Sequence, residues 1–259
     1  MKLFPLCGLL SLVVAGNVVG APLRLKSDSS AGAEKAAAGA TSAPKAPAKP
    51  KWQSLFDGKT LSGWSGLADH WKVEQGALTG YTSAENPLKN NTFLVWTNGT
   101  VGNFELRFKY RIFNGNSGLQ YRSKLVDAEK FIVGGYQADF EAGKTYSGIL
   151  YEERGRGILA ERGQRTLVKD ANGQTKVQVL GKLAESADLQ AAIRHEDWNE
   201  YHIVAKGNHL MHFINNRMTI DVVDQQDAKA AKDGVLAFQI HVGPPMLVQF
   251  RDVELLSLP

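Results

Sequence analysis

Residues 104–112, Phe-Glu-Leu-Arg-Phe-Lys-Tyr-Arg-Ile, decide the fold. Aromatic and aliphatic side chains alternate with charged ones over the whole stretch, which gives an extended strand one apolar and one charged face. Such a strand lays one side on a core and shows the other to water. Outward from it the theme repeats in shorter pieces. Segments 71–75 and 77–81 flank Gly76, 93–96 is another short apolar run, and 114–118 (NGNSG) reads as a turn before 119–123. Further on, 198–205, 210–214 and 218–223 read as strands, with Asn215-Asn216 a hairpin turn because Asn tolerates positive φ. Segments 234–242 and 247–258 close the chain. Residues 159–182 are polar and read as a long excursion with one hairpin near Asn172-Gly173, and 184–193 is the single helix expected. Many short strands without strand–helix alternation predict an all-β jelly-roll β-sandwich of two antiparallel sheets.

The N-terminal flank has a different composition. Met1-Lys2, the apolar run 3–15 and the small residues up to Ala21 follow the order of a secretory signal, too short to span a bilayer. Residues 22–50 are Ala, Ser, Lys and Pro with little to bury, and are expected to be a disordered linker. The domains expected are therefore a signal at 1–21, a linker at 22–50 and one sandwich at 51–259, in an exported protein, periplasmic or extracellular. The single cysteine, Cys7, falls in the signal, so the mature chain has no disulfide and no thiol chemistry. Of 30 Lys and Arg and 26 Asp and Glu, six and two lie in residues 1–50, which leaves 24 of each beyond. The globular part is formally neutral and carries no charge argument for nucleic acid or membrane.

Chemistry concentrates in 134–156, GGYQADFEAGKTYSGILYEERGR. If 135–141 is a strand, Gln137, Asp139 and Glu141 share one face at about 7 Å spacing. The next run ends in Tyr151-Glu152-Glu153-Arg154-Gly155-Arg156, where carboxylates could move protons and arginines could hold an anionic or enolic oxygen. Gln239 and His241 repeat the pattern on a distant strand, opposite Leu236, Phe238 and Ile240. Asp139, His241, Glu152 and Glu153 are the candidate catalytic residues. Gln137, Glu141, Arg122, Tyr151, Arg154, Arg156 and Gln239 are the candidate substrate contacts. The six histidines show no zinc-ligand spacing, and no serine elbow, phosphate loop or dinucleotide fingerprint occurs. No cofactor is required, although a divalent cation could share the enolate.

Several short patterns together resemble the DUF1080, or 3-keto-disaccharide hydrolase, family. They are Leu55-Phe56-Asp57-Gly58 with Leu61-Ser62-Gly63-Trp64, Asn116-Ser117-Gly118, Gly135-Tyr136-Gln137-Ala138-Asp139, Trp198-Asn199, and Gln239-Ile240-His241 followed by Phe250-Arg251-Asp252-Val253. The resemblance implies a concanavalin-like sandwich acting on a carbohydrate substrate, a 3-keto-glycoside. Many members carry Glu where this chain has Gln137, and an amide cannot act as a carboxylate base, so the resemblance implies either a variant subgroup or the use of Asp139 instead, with Asp139 or His241 as the base. A non-catalytic carbohydrate-binding module and a retaining glycosidase are the competing expectations. The latter needs two carboxylates about 5 to 5.5 Å apart.

Overall fold

The alternating stretch forms a nine-residue strand, Phe104–Ile112, whose odd and even positions divide between core and surface as expected. The computed structural model describes residues 51–259; the expected signal at 1–21 and linker at 22–50 lie outside the described residues. In chain order the strands are β1 Gln53–Ser54, β2 Trp64–Ser65, β3 Trp71–Glu74, β4 Ala77–Tyr81, β5 Thr92–Trp96 and β6 Phe104–Ile112. Then come β7 Asn116–Asp127, β8 Ile132–Glu141, β9 Leu150–Glu153, β10 Gly157–Ala160, β11 Gln164–Ala171 and β12 Gln174–Lys182. The helix α1 Ser186–Ala191 precedes β13 Asn199–Lys206, β14 His209–Ile214, β15 Arg217–Asp224, β16 Val235–Ile240 and β17 Leu247–Ser257.

These strands form two sheets. The larger runs β12-β11-β15-β14-β13-β6-β17-β4-β3, with β1 added along β17, and the smaller runs β10-β9-β8-β7-β16-β5-β2. All strand pairs are antiparallel except β11 with β15, so the expected sandwich of two antiparallel sheets is the one formed, with a single parallel pair in the larger sheet. The stretch read as an excursion is mostly strand. β11 and β12 form a hairpin across Asn172-Gly173, both at positive φ, and β12 is exposed along most of its length, which is why its polar sequence gave no strand signal. At 114–118 only Asn114 and Gly115 turn the chain. Asn116, Ser117 and Gly118 already pair with Glu141, Phe140 and Asp139, so the polar tripeptide belongs to a strand.

Aromatic rings fill the space between the sheets. Phe238 of the smaller sheet stacks on Phe250 of the larger with centroids 3.8 Å apart, and Phe108 packs against both as well as Tyr201. Such contacts add to the burial free energy of the rings. A polar strut also joins the sheets. Arg156, between β9 and β10, bonds Glu152 through Nε at 2.6 Å and Asp224, at the end of β15, through Nη2 at 2.7 Å. The Tyr136 hydroxyl donates to the same Asp224 carboxylate. Among the described residues no helix is long and apolar enough to cross a membrane.

Removing the cation from this buried cluster leaves two carboxylates without their partner. Arg156→Met is expected to cost about 3 to 5 kcal/mol of stability, measured by urea denaturation against the parent chain.

Candidate functional site

Strand β8 divides its side chains strictly. Tyr136, Ala138 and Phe140 enter the core between the sheets, and Gln137, Asp139 and Glu141 take the outer face of the smaller sheet. A solvated strand face would expose them. Instead Gln137 is 2% and Asp139 6% exposed, because the β8–β9 loop, β9 and the chain around Asn91 and His241 fold over that face.

The result is a cleft of about 480 Å³. Gln137, Asp139, Glu141, Tyr151, Glu153 and His241 all line it, so six of the eleven residues singled out in the sequence meet there. Asn91, Asn116 and Tyr146 join them. Asn91 and Tyr146 were not anticipated, since they lie in loops that carry no periodic signal, and Asn116, read only as part of a turn motif, arrives on β7.

Beneath the cleft runs a chain of hydrogen bonds that starts at Ser123. Its Oγ donates to Gln120 Oε1 at 2.7 Å, Gln120 Nε2 donates to Gln137 Oε1 at 2.7 Å, and Gln137 Nε2 donates to Asp139 Oδ1 at 2.5 Å. Gln239 Nε2 gives Gln137 Oε1 a second donor at 3.2 Å. With its oxygen engaged twice, the Gln137 amide turns its NH₂ to two acceptors, Asp139 Oδ1 and, at 3.4 Å, Gln239 Oε1. The geometry requires Gly118. A Cβ there would lie 2.6 Å from Gln137 Cγ, so the missing side chain lets Gln137 lie across β7 and reach Gln239 on β16.

Asp139 has no cation against it. Burial in the cleft floor pushes its carboxyl up to about 8; the Gln137 and Asn116 hydrogen bonds oppose this, and the negative charges of Glu153 and Glu141 add to it. Burial, together with the charges of Glu153 and Asp139, also raises Tyr151, which stays a neutral hydroxyl donor. The Asn91 side chain fixes two neighbours at once, donating to Glu153 Oε1 at 3.2 Å and accepting from the Val242 amide at 2.9 Å. His241 Nδ1 lies 2.6 Å from the Val242 carbonyl, which makes Nδ1 the protonated nitrogen and turns Nε2 to other partners. Glu141 receives the amides of Thr145 and Tyr146 and so anchors the covering loop.

Five of the residues do not reach the cleft, and the reason is their strand face or a bulge. Glu152 and Arg156 face the other way, into the strut with Asp224, because alternate β9 side chains point in opposite directions. Arg154 sits at φ 56 in the β9–β10 turn and lines a separate hollow with Gly134 and Lys232. Arg122 lies at a bulge in β7 with φ 47, buried against the carbonyls of Gly102 and Gly207 at 2.7 and 2.6 Å. Gln239 is fully buried and supports Gln137 from below. Among the described residues no group of three or more His, Cys, Asp or Glu lies close enough to hold a metal ion.

A β-sandwich of the concanavalin and galectin type, with a polar cleft on one outer sheet face, is the class that fold and site define. The chain belongs to the family described as the 3-keto-alpha-glucoside-1,2-lyase-like domain, whose model matches residues 51–256. That family places it among carbohydrate-active, glycosyl-hydrolase-like or carbohydrate-binding sandwiches. Two structures of candidate glycosyl hydrolases from Parabacteroides distasonis are similar. One is 17% identical with a TM-score of 0.53, covering 80% of this chain and 100% of its own, and the other is 17% identical at 0.51, covering 80% and 94%. A Bacillus subtilis protein of galectin-like fold is 10% identical with a TM-score of 0.50, covering 76% of this chain and 90% of its own. At these identities the likeness concerns the fold. No match was found among curated protein sequences.

Since the native Asp139 carboxyl sits well above its unfolded value of 3.8, folding favours the protonated form. The stability that Asp139 contributes is therefore fully present below about pH 4 and is lost as pH rises toward 8. Asp139→Asn is expected to flatten this decline and to raise the melting temperature at pH 8 above that of the parent, read by thermal scans from pH 5 to 9.

Proposed function

We propose that this chain cleaves the glycosidic bond of 3-keto-glycosides by elimination and hydration, in the periplasm or outside the cell. The observation that carries the reading is Asp139: a buried carboxyl, raised to about 8, oriented by a glutamine chain in the floor of a cleft that belongs to a keto-glucoside lyase-like family. A ketone at C3 acidifies the C2 hydrogen, and the C1 oxygen lies β to that ketone. Carboxylate Asp139 takes the C2 proton and the electron pair moves into the C2–C3 enolate. The enolate then collapses to a C1–C2 double bond as the C1–O bond breaks, and the departing oxygen takes up a proton. Water adds across the double bond at C1 and returns a proton to C2, so a free 3-keto sugar and the leaving alcohol result.

A buried carboxyl of raised pKa suits this work because its anion is a stronger base than an exposed one. Tyr151, held neutral beside Gln137 in the β8–β9 register, donates to the enolate oxygen. This replaces the arginines expected from the sequence for that role. Asp139, protonated once it has taken the C2 hydrogen, hands that proton to the leaving oxygen, while His241, with Nε2 as acceptor, and Glu153, held by Asn91, bind the leaving group from the same cleft.

Incubation of the purified protein with 3-keto-trehalose or 3-keto-lactose should release glucose, with C2 hydrogen exchange in deuterated water preceding cleavage. Asp139→Asn should lower kcat by about 10²- to 10⁴-fold while sugar binding persists. Sugar binding without turnover of any keto substrate would instead identify a carbohydrate-binding module. Because the base works deprotonated, kcat/KM should climb with pH and level off above about 8. A rate independent of pH from 6 to 9 would remove Asp139 from this role.

Gly118→Ala should reproduce much of the loss by a different route. The new methyl displaces Gln137, so the fold should persist while kcat falls by more than about tenfold, checked by circular dichroism alongside the same assay.

A further inference from the structure

Beyond the cleft, between α1 and the loop after β8, lies a second hollow of about 680 Å³, within the range of small-molecule sites. Two of its lining groups are unusual. Tyr110 is 1% exposed, and its hydroxyl has no hydrogen-bond partner within the protein. Gln190 on α1 also carries a buried Oε1 without a partner. Only four such side-chain atoms occur among the described residues, and two of them border this one pocket. A buried polar atom left unpaired costs about 1 to 3 kcal/mol, and a site for a hydrogen-bonding ligand accounts for both.

We propose that this hollow is a second sugar subsite, which holds the neutral hydroxylated ring joined to the keto sugar. The assignment rests on the keto-glycoside reading of the neighbouring cleft. A tyrosine hydroxyl gives and accepts a hydrogen bond and an amide oxygen accepts, which is the complement of sugar hydroxyls. Arg162 donates to the carbonyls of Ser147 and Lys144, Glu141 receives the loop amides and Arg194 donates to the Trp198 carbonyl, while the exposed Lys144 and Glu196 are of opposite charge, so the lining favours no ionic ligand. Ile112, Ala142 and Ile193 supply apolar surface for a ring face.

Position supports the same occupant. Glu141 borders both the cleft and this pocket, two residues along β8 from Asp139, or about 7 Å, which is close to the step from one sugar ring to the next. An intervening depression shares Asn116 and His241 with the cleft and His195 and Glu196 with the pocket, so the three hollows adjoin. The side of the active cleft toward α1 is thus the leaving-group side, and the substrate has at least two sugar units.

The probe is D-glucose, titrated into the ¹⁵N-labelled full chain while the Gln190 side-chain amide is followed by NMR. The expected result is a saturable shift of that signal, with affinity weakened about tenfold in Tyr110→Phe and, read from the backbone amides of Ala142 and Ile193 that line the hollow, lost in Tyr110→Phe/Gln190→Leu. Tyr110→Phe keeps the ring packed on Phe140, with centroids 4.1 Å apart, and should melt higher than the parent without sugar because an unpaired hydroxyl is gone. A Gln190 signal unmoved by glucose, or equal affinity in the double variant, overturns the proposal. The two readings fail separately: cleavage of 3-keto-trehalose with an unmoved Gln190 signal removes the subsite alone, and a glucose-dependent shift without cleavage removes the lyase chemistry alone.

Discussion

Strand β8 is buried on both faces, and most of what distinguishes this sandwich follows from meeting that constraint. The inward face meets it with Tyr136, Ala138 and Phe140 in the aromatic core. The outward face carries an amide and a carboxyl, which cannot be buried without partners. Gln137 finds them by crossing the bare backbone of Gly118, and gives its NH₂ to Asp139 and to Gln239. The cover over this face, from the β8–β9 loop and the Asn91 and His241 segments, then makes a cleft where a flat sheet would otherwise meet water.

Charge is used in two opposite ways within a few residues. On the core side, Glu152, Arg156 and Asp224 form a neutralised, hydrogen-bonded cluster that ties the two sheets together. On the cleft side, Asp139 is buried without a cation and sits near further carboxylates, so burial first and those charges second hold its proton to about pH 8. Low dielectric makes the first arrangement strong and the second reactive. Strand alternation alone separates them, since Glu152 and Glu153 are adjacent in the chain and face opposite sides of β9.

How far the site was legible depended on whether its residues sat on regular strands. Gln137, Asp139 and Glu141 share a face by the two-residue period, and Gln239 on β16 and His241 just past its end follow the same rule. Glu152, Arg154 and Arg156 were grouped with them by proximity in sequence, and there the reasoning failed. The turn at Arg154 and the face of Glu152 depend on where β9 ends. Arg122 failed for a related reason: a bulge gives it positive φ and turns its guanidinium onto buried carbonyls. Asn91 was missed because a loop Asn looks alike whether it caps a turn or faces a cleft, and Asn116 because the strand that carries it begins within a stretch that reads as a turn.

The sequence by itself determined the all-β class, the principal strands and the face shared by Gln137 and Asp139, because alternation is a local property that the backbone converts directly into geometry. It also showed, through the patterns along residues 52–258, the family to which the chain belongs. Only the tertiary structure decided that this face would be buried, that Gly118 gives passage to Gln137, and that an arginine next to the cleft in sequence would serve a sheet-to-sheet ion cluster. Those outcomes depend on which distant segments pack over β8, and burial sets whether a carboxyl ionises at neutral pH or keeps its proton.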